Sequence, residues 1–144
     1  MIIERIKLLR KKFIINKIDG YIIPKNDEFF GEYSSHDRLK AISNFDGSAG
    51  LAIVLKDKNY LFVDGRYTIQ AKKQSGKNFK IVEIHKFLPY KIIKNLNIGF
   101  DPALFTQRQL KIYFNNKITL KPISKNLIDE IYKKKKSISK PFFS

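Results

Sequence analysis

Residues 46–64 read DGSAGLAIVLKDKNYLFVD, and the fold turns on how this stretch divides. Leu51-Ala52-Ile53-Val54-Leu55 is a near-continuous apolar run of strand length, which reads as a central strand buried on both faces. Lys56-Asp57-Lys58-Asn59 has the composition of a hairpin turn, so Tyr60-Leu61-Phe62-Val63 is the returning antiparallel strand. The five residues before the hairpin, Asp46-Gly47-Ser48-Ala49-Gly50, form a tight loop of small side chains. Asp64, just past it, is placed to cap a helix over Tyr67, Ile69, Gln70 and Ala71 that stops near Gly76.

Outward from this hairpin, helical and extended patterns alternate. Ile3, Ile6, Leu9, Phe13 and Lys17 step at helical spacing, giving an opening amphipathic helix that ends near Asn16. Asp19-Gly20 is a turn signal, and Tyr21-Ile22-Ile23 is a short buried strand stopped by Pro24. Asp37 can cap a short helix over residues 38–42. Downstream come a strand at 79–84, a helix near 87–94 and a strand at 97–100. Thr106 caps a helix running to Phe114, and a strand at 118–120 and a helix at 126–132 complete the series. The sum is an α/β fold: a mixed sheet of five or six strands with helices on both faces. Residues 1–132 form one domain, and 133–144, opening on the run Lys133-Lys136, read as a linker.

The 144 residues carry a formal net charge of +16, which invites a nucleic-acid reading. The composition argues against it. Lysine outnumbers arginine by 24 to 5, alongside 22 isoleucines and 10 asparagines, the bias an AT-rich coding sequence imposes on any protein. A groove reader favours arginine, whose planar fork pairs bidentately with guanine and phosphate. A free-standing basic nucleic-acid-binding module is kept only as the alternative. No apolar run approaches membrane-spanning length. The chain has no cysteine, which removes disulfides, thiolate metal sites and cysteine nucleophiles, and a cytoplasmic location is expected.

Residues that could carry chemistry are few. His36 and His85 have no second histidine at ligand spacing, and each reads as an ordinary surface or half-buried imidazole. Asp64 and Asp101 fall just past strands, where carboxylates can converge on a divalent metal. Capping explains both more simply, Asp64 for the helix after it and Asp101-Pro102 for a turn into another. Gly47-Ser48-Ala49-Gly50 has glycines but neither a Walker lysine nor dinucleotide spacing, and it leads into a strand. Its small residues let the loop turn sharply against neighbouring backbone.

The stretch Phe45-Asp46-Gly47-Ser48-Ala49-Gly50, an apolar hairpin, then Val63-Asp64-Gly65-Arg66-Tyr67 with Gln70-Ala71, resembles the creatinase/prolidase-type N-terminal domain of three-domain Xaa-Pro aminopeptidases (aminopeptidase P). The family pattern reads F-x-G-S-A-G, a hairpin, then D-G-R-Y-x-x-Q-A. Asp19-Gly20-Tyr21-Ile22-Ile23-Pro24, Glu32-Tyr33 with Arg38-Leu39, Gly99-Phe100-Asp101-Pro102 and Asn126-Leu127-Ile128-Asp129 resemble further family segments in the same order. Likeness therefore runs from about Asp19 to Tyr132. Three departures stand out: a shorter spacing between Glu32-Tyr33 and Arg38-Leu39, Asn44 where a glycine is expected, and Tyr132 where tryptophan is common.

The resemblance implies a non-catalytic domain with a ribonuclease-H-like motif. In that family a separate C-terminal domain binds a pair of metal ions, usually manganese, through two Asp, one His and two Glu, and cleaves the bond before a penultimate proline. None of those ligands has a counterpart in this chain, so the chain alone is expected to be inactive and free of cofactors. Its expected partners are the second and catalytic domains of the full-length enzyme or another subunit, in a homo-oligomer that lines the substrate path. Phe45, Gly47, Ser48, Ala49, Gly50, Asp64, Gly65, Arg66 and Tyr67 are the motif loop positions. Arg66 is expected to reach Asp46 or Asp64 and tie the two loops together from a partly buried position. Two aromatic clusters, Phe29-Phe30 with Tyr33 and Phe142-Phe143, are the candidate interface.

Overall fold

The structure, a computed structural model, describes residues 2–25, 38–47, 49–115 and 118–131. Six strands form one sheet in the order β4-β3-β2-β1-β5-β6. They are β1 (Gly20–Pro24), β2 (Leu51–Leu55), β3 (Asn59–Val63), β4 (Lys80–Glu83), β5 (Asn97–Phe100) and β6 (Thr119–Pro122). The hairpin sits where the sequence puts it: β2 runs antiparallel to both β1 and β3. The remaining pairings, β3 with β4, β1 with β5 and β5 with β6, are parallel. All five residues of β1 and of β2 are buried, as two central strands covered on both faces require.

Alternation along the strands divides the core in two. Tyr21, Ile23, Ala52, Val54, Leu61 and Val63 face one layer, which α1 (Ile2–Asn16), α2 (Arg38–Ser43), α3 (Thr68–Ser75) and a helical segment at residues 127–131 cover with Ile6, Leu9, Phe13, Leu39, Ile42, Ala71, Leu127 and Ile128. Ile22, Leu51, Ile53, Leu55 and Phe62 face the other, covered by Ile93 beyond α4 (Pro89–Ile92) and by Phe114 of α5 (Gln107–Phe114). Helices therefore lie on both faces of a six-stranded mixed sheet.

Local chemistry sets the element ends. Thr106 Oγ1 accepts from Gln109 N at 3.1 Å, and Gln109 Oε1 accepts from Thr106 N at 2.8 Å. This reciprocal pair is a capping box that starts α5. Asp64 and Asp101 each begin a 3-10 turn, at Gly65–Tyr67 and Pro102–Leu104, by accepting from the backbone N–H two residues on. Capping is thus the observed job of both. Gly20 opens β1 instead of making the turn its sequence suggests. A Cβ there would lie 2.5 Å from Leu55 Cδ2 and 2.9 Å from the Val54 carbonyl oxygen, so only glycine lets β2 and β5 flank β1 this closely. The last strand begins at Thr119, one residue after the expected start, and α4 is shorter than its sequence pattern.

The two aromatic clusters and residues 133–144 lie outside the described residues, as do Ser48, His36, Asp37 and the Glu32-Tyr33 segment.

Candidate functional site

The first motif loop leaves α2 through Asn44, whose φ of 70° is left-handed. That backbone explains why the family pattern has glycine here. Asparagine is among the residues that enter this region most readily, so the departure is conformationally conservative. Phe45 then turns inward and is fully buried, its ring meeting Tyr67 edge-on at 6.1 Å between centroids. Gly47 is small because of that ring: a Cβ on it would come within 2.3 Å of Phe45 Cζ.

Asp46 points away from the core and is gripped by α3. Its Oδ1 accepts from Gln70 Nε2 at 2.8 Å and from Gln74 Nε2 at 3.0 Å, while its own N–H donates to Gln74 Oε1 at 3.1 Å. These amide bonds, Gln74's first, with Lys40 and Lys25 nearby, hold the Asp46 carboxyl below its ordinary range. Deeper in, Ser75 Oγ donates to the Ser43 carbonyl at 2.7 Å, and Ser43 Oγ accepts from Phe45 N. The first loop is thus tied to the helix that follows the second. Gln70 is the motif residue that makes the tie, and Gln74, four residues on, shares its helix face.

The second loop is built around Asp64. Its Oδ1 accepts from Arg66 N at 3.1 Å, and its Oδ2 pairs with His85 Nε2 at 3.3 Å. The backbone bond first, then the imidazole and the Arg66 charge, lower the Asp64 pKa. Arg66 corrects the sequence reading. Its guanidinium lies 3.6 Å from Asp64 and 5.4 Å over the Tyr67 ring, but its side chain is 75% exposed, and it is the two glutamines that hold Asp46. An exposed pair of this kind adds little to stability. Arg66→Ala is expected to move the melting temperature by no more than about 2 °C in a thermal scan.

β1, β3 and β4 are oriented so that their carboxyl ends share one edge of the sheet with the start of β2. A cleft of about 370 Å³ opens there. Pro24, Leu51, Phe62 and Val63 supply apolar walls, Asp64 and His85 a polar rim, and Phe105, Gln109 and Tyr113 the opposite wall. Carboxyl ends of strands in open α/β sheets are the usual place for ligands. Sequence reading placed Asp64 and His85 separately at strand ends. Parallel pairing of β3 with β4 is what brings them together, and that pairing was the missing signal. Ala49 and Gly50 of the first loop also line the cleft.

Next to this edge a second network gathers four more motif segments. Asn126 Nδ2 donates to Asp101 Oδ2 at 2.9 Å, and Asn126 Oδ1 accepts from Ile128 N, capping the last helical segment. Leu127 N donates to the Tyr21 hydroxyl at 3.2 Å, and burial pushes that hydroxyl's pKa well above its ordinary value. Arg38, 5% exposed, gives two 2.9 Å bonds to the carboxylate of Asp129. Among the described residues no group of three or more His, Asp or Glu stands close enough to hold a metal ion.

A match to the creatinase/prolidase N-terminal domain family runs over residues 5–131. The chain belongs to this family. Among curated proteins, this creatinase/prolidase N-terminal domain is 32% identical to the probable Xaa-Pro aminopeptidase P of Coprinopsis cinerea over 90% of its length, covering 23% of that protein. It thus spans about a quarter or less of the relatives it matches. Solved structures that share its fold include two that illustrate it. The X-prolyl aminopeptidase from Caenorhabditis elegans, a cytosolic enzyme with a di-nuclear active site, superposes with a TM-score of 0.73 at 24% identity, over 92% of this chain and 26% of that one. The N-terminal domain of cytoplasmic peptidase PepQ from Mycobacterium tuberculosis gives 0.71 at 20% identity, over 89% of this chain and 98% of that one. Nothing in these likenesses favours the nucleic-acid-binding alternative. No described helix of the creatinase/prolidase N-terminal domain is long and apolar enough to cross a membrane.

Proposed function

We propose that this chain serves as the non-catalytic N-terminal domain of an Xaa-Pro aminopeptidase, acting in the cytoplasm through quaternary structure and as a wall of the substrate path. The observation that carries this reading is the family match over residues 5–131, together with relatives of this name that the chain covers only to about a quarter. Hydrolysis belongs to a catalytic domain elsewhere in the enzyme, where a pair of manganese ions would activate water. Residues 133–144 would be the link toward a second domain. Seven of the nine motif loop positions then act in two ways. Phe45, Gly47, Gly50, Gly65 and Tyr67 shape the loops, while Asp64 and the exposed Arg66 face outward toward the other domains.

The test is direct. The purified chain, titrated calorimetrically with Mn²⁺ and assayed on an Xaa-Pro peptide, is expected to show neither stoichiometric micromolar binding nor turnover. Manganese-dependent release of the residue before proline would overturn the reading.

A further inference from the structure

Of the seven large apolar side chains exposed among the described residues, four stand on α1: Ile3, Leu8, Ile14 and Ile15. Coding bias sets how many isoleucines and lysines a chain carries, not where they stand. Here Ile3, Lys7, Leu8, Lys11, Ile14 and Ile15 follow helical spacing along the outward face, opposite the buried Ile6, Leu9 and Phe13. Ile14 and Ile15, at 80% and 75%, are the most exposed of the seven. The end of the helix holds these two side chains outward. Ile18 N donates to the Phe13 carbonyl at 3.0 Å and Lys17 N to the Ile14 carbonyl at 3.3 Å, the Schellman arrangement. Phe13 and Ile18, both buried, take the core side of that turn and leave Ile14 and Ile15 to solvent.

Three cations surround this apolar end. Lys11 lies one turn back between the two isoleucines, Lys17 closes the helix, and Lys121 Nζ donates to the Asn16 carbonyl at 2.6 Å. Lys17 has a left-handed φ of 55°, and the other non-glycine residues in that region, Asn44, Asn95 and Asn115, are all asparagine. A lysine is thus kept where asparagine or glycine folds more easily. Nearby acids are already taken, Glu130 by Lys12 and Asp19 by Lys56, and Glu4 lies at the far end of the helix. A protein partner would want other residues. Protein interfaces are enriched in aromatic residues and arginine and depleted of lysine. The outward face has no aromatic residue, and both arginines of α1 turn inward, to the carbonyls of Ala41 and Leu55. A second copy of the chain would bring its own +16 against this face. A bilayer surface with anionic lipid is complementary in both respects. Aliphatic side chains enter the boundary between headgroups and acyl chains, while lysines extend along them to the charged headgroup layer.

We propose that the outward face of α1, led by Ile14 and Ile15 among Lys11, Lys17 and Lys121, is a peripheral docking surface for an anionic membrane. Such contact needs no spanning helix. Two inserted isoleucines and three lysines hold the domain reversibly, and only where anionic lipid is present.

Co-sedimentation of the full chain with phosphatidylcholine vesicles, with and without about 30% phosphatidylserine at about 0.15 M salt, tests this. Expected is binding to the anionic vesicles and little to the neutral ones. Ile14→Ser with Ile15→Ser leaves the net charge unchanged and should weaken binding at least about tenfold. Ile112→Ser, exposed on α5 across the sheet, should change it less than about twofold. Lys11→Gln and Lys17→Asn should each cost about fivefold, and asparagine keeps the left-handed turn. All these positions are exposed, so urea midpoints should hold. Equal binding by the parent and the double-isoleucine variant would assign the attraction to scattered lysines, the run Lys133-Lys136 included, and overturn the surface. Failure to bind anionic vesicles would overturn it too, and a dimer in sedimentation that the same double substitution abolishes would give the face to a second copy.

Discussion

Asp129→Ala is expected to lower the free energy of unfolding in urea by about 3 kcal/mol, with an unchanged denaturant slope. Asp129 lies 91 residues from Arg38 and receives two 2.9 Å hydrogen bonds from it, so the pair clamps the last helical segment onto α2. The two ends are not equivalent. Arg38 is 5% exposed, whereas the Asp129 side chain is 38% exposed. Removing the carboxylate takes two charge-assisted hydrogen bonds from a guanidinium that water reaches poorly. Asp129→Asn, which keeps the side-chain volume and removes the charge, should cost nearly as much as Asp129→Ala. A loss near zero for Asp129→Asn would mean that packing, not charge, dominates at this site.

Phe45→Ala should be at least as damaging, at about 3–5 kcal/mol. The ring is fully buried between α2 and the second motif loop, edge-on to Tyr67, and Gly47 and Gly50 leave room for it. Truncation opens a cavity beside the first motif loop, which Asp46 already anchors to α3, so collapse to fill it is restricted. The partner experiment is Gly47→Ala, which drives a methyl to 2.3 Å from Phe45 Cζ and should destabilise by overpacking. In the Phe45→Ala background the same methyl enters the cavity. The double variant should consequently be more stable than the sum of the two single losses predicts. Strict additivity, read from urea midpoints, would show that ring and glycine do not share a space.

The hairpin, the opening helix, the capping residues and the two-faced core were legible because each rests on local pattern: an apolar run of strand length, a helical step, an oxygen two or three residues before an N–H. Arg66 was misread for a physical reason. Two nearby carboxylates made burial plausible, and no local signal says that Gln70 and Gln74 will already satisfy Asp46. The cleft was invisible for another. Asp64 with His85, Arg38 with Asp129 and Asp101 with Asn126 are joined only by the order of strands in the sheet, at separations of 21, 91 and 25 residues. Motif order along the chain indicated that these segments belong together without indicating which atoms meet.

The central position of β1 has a consequence for how the chain is made. It is the first strand to be synthesised, and its antiparallel partner β2 follows within about thirty residues, so one flank is covered early. Its other flank waits for β5, which is complete only at Phe100, about 75 residues after Pro24. At ordinary translation rates of roughly 5–20 residues per second, Gly20 and Tyr21 present an open backbone edge for roughly 4–15 s. During that interval the nascent chain carries an apolar, unpaired strand edge next to a basic helix, the condition in which intermolecular strand addition competes with folding. Slowing codons placed between β4 and β5 would lengthen the exposure and should raise the insoluble fraction on expression, while leaving the stability of the finished domain untouched.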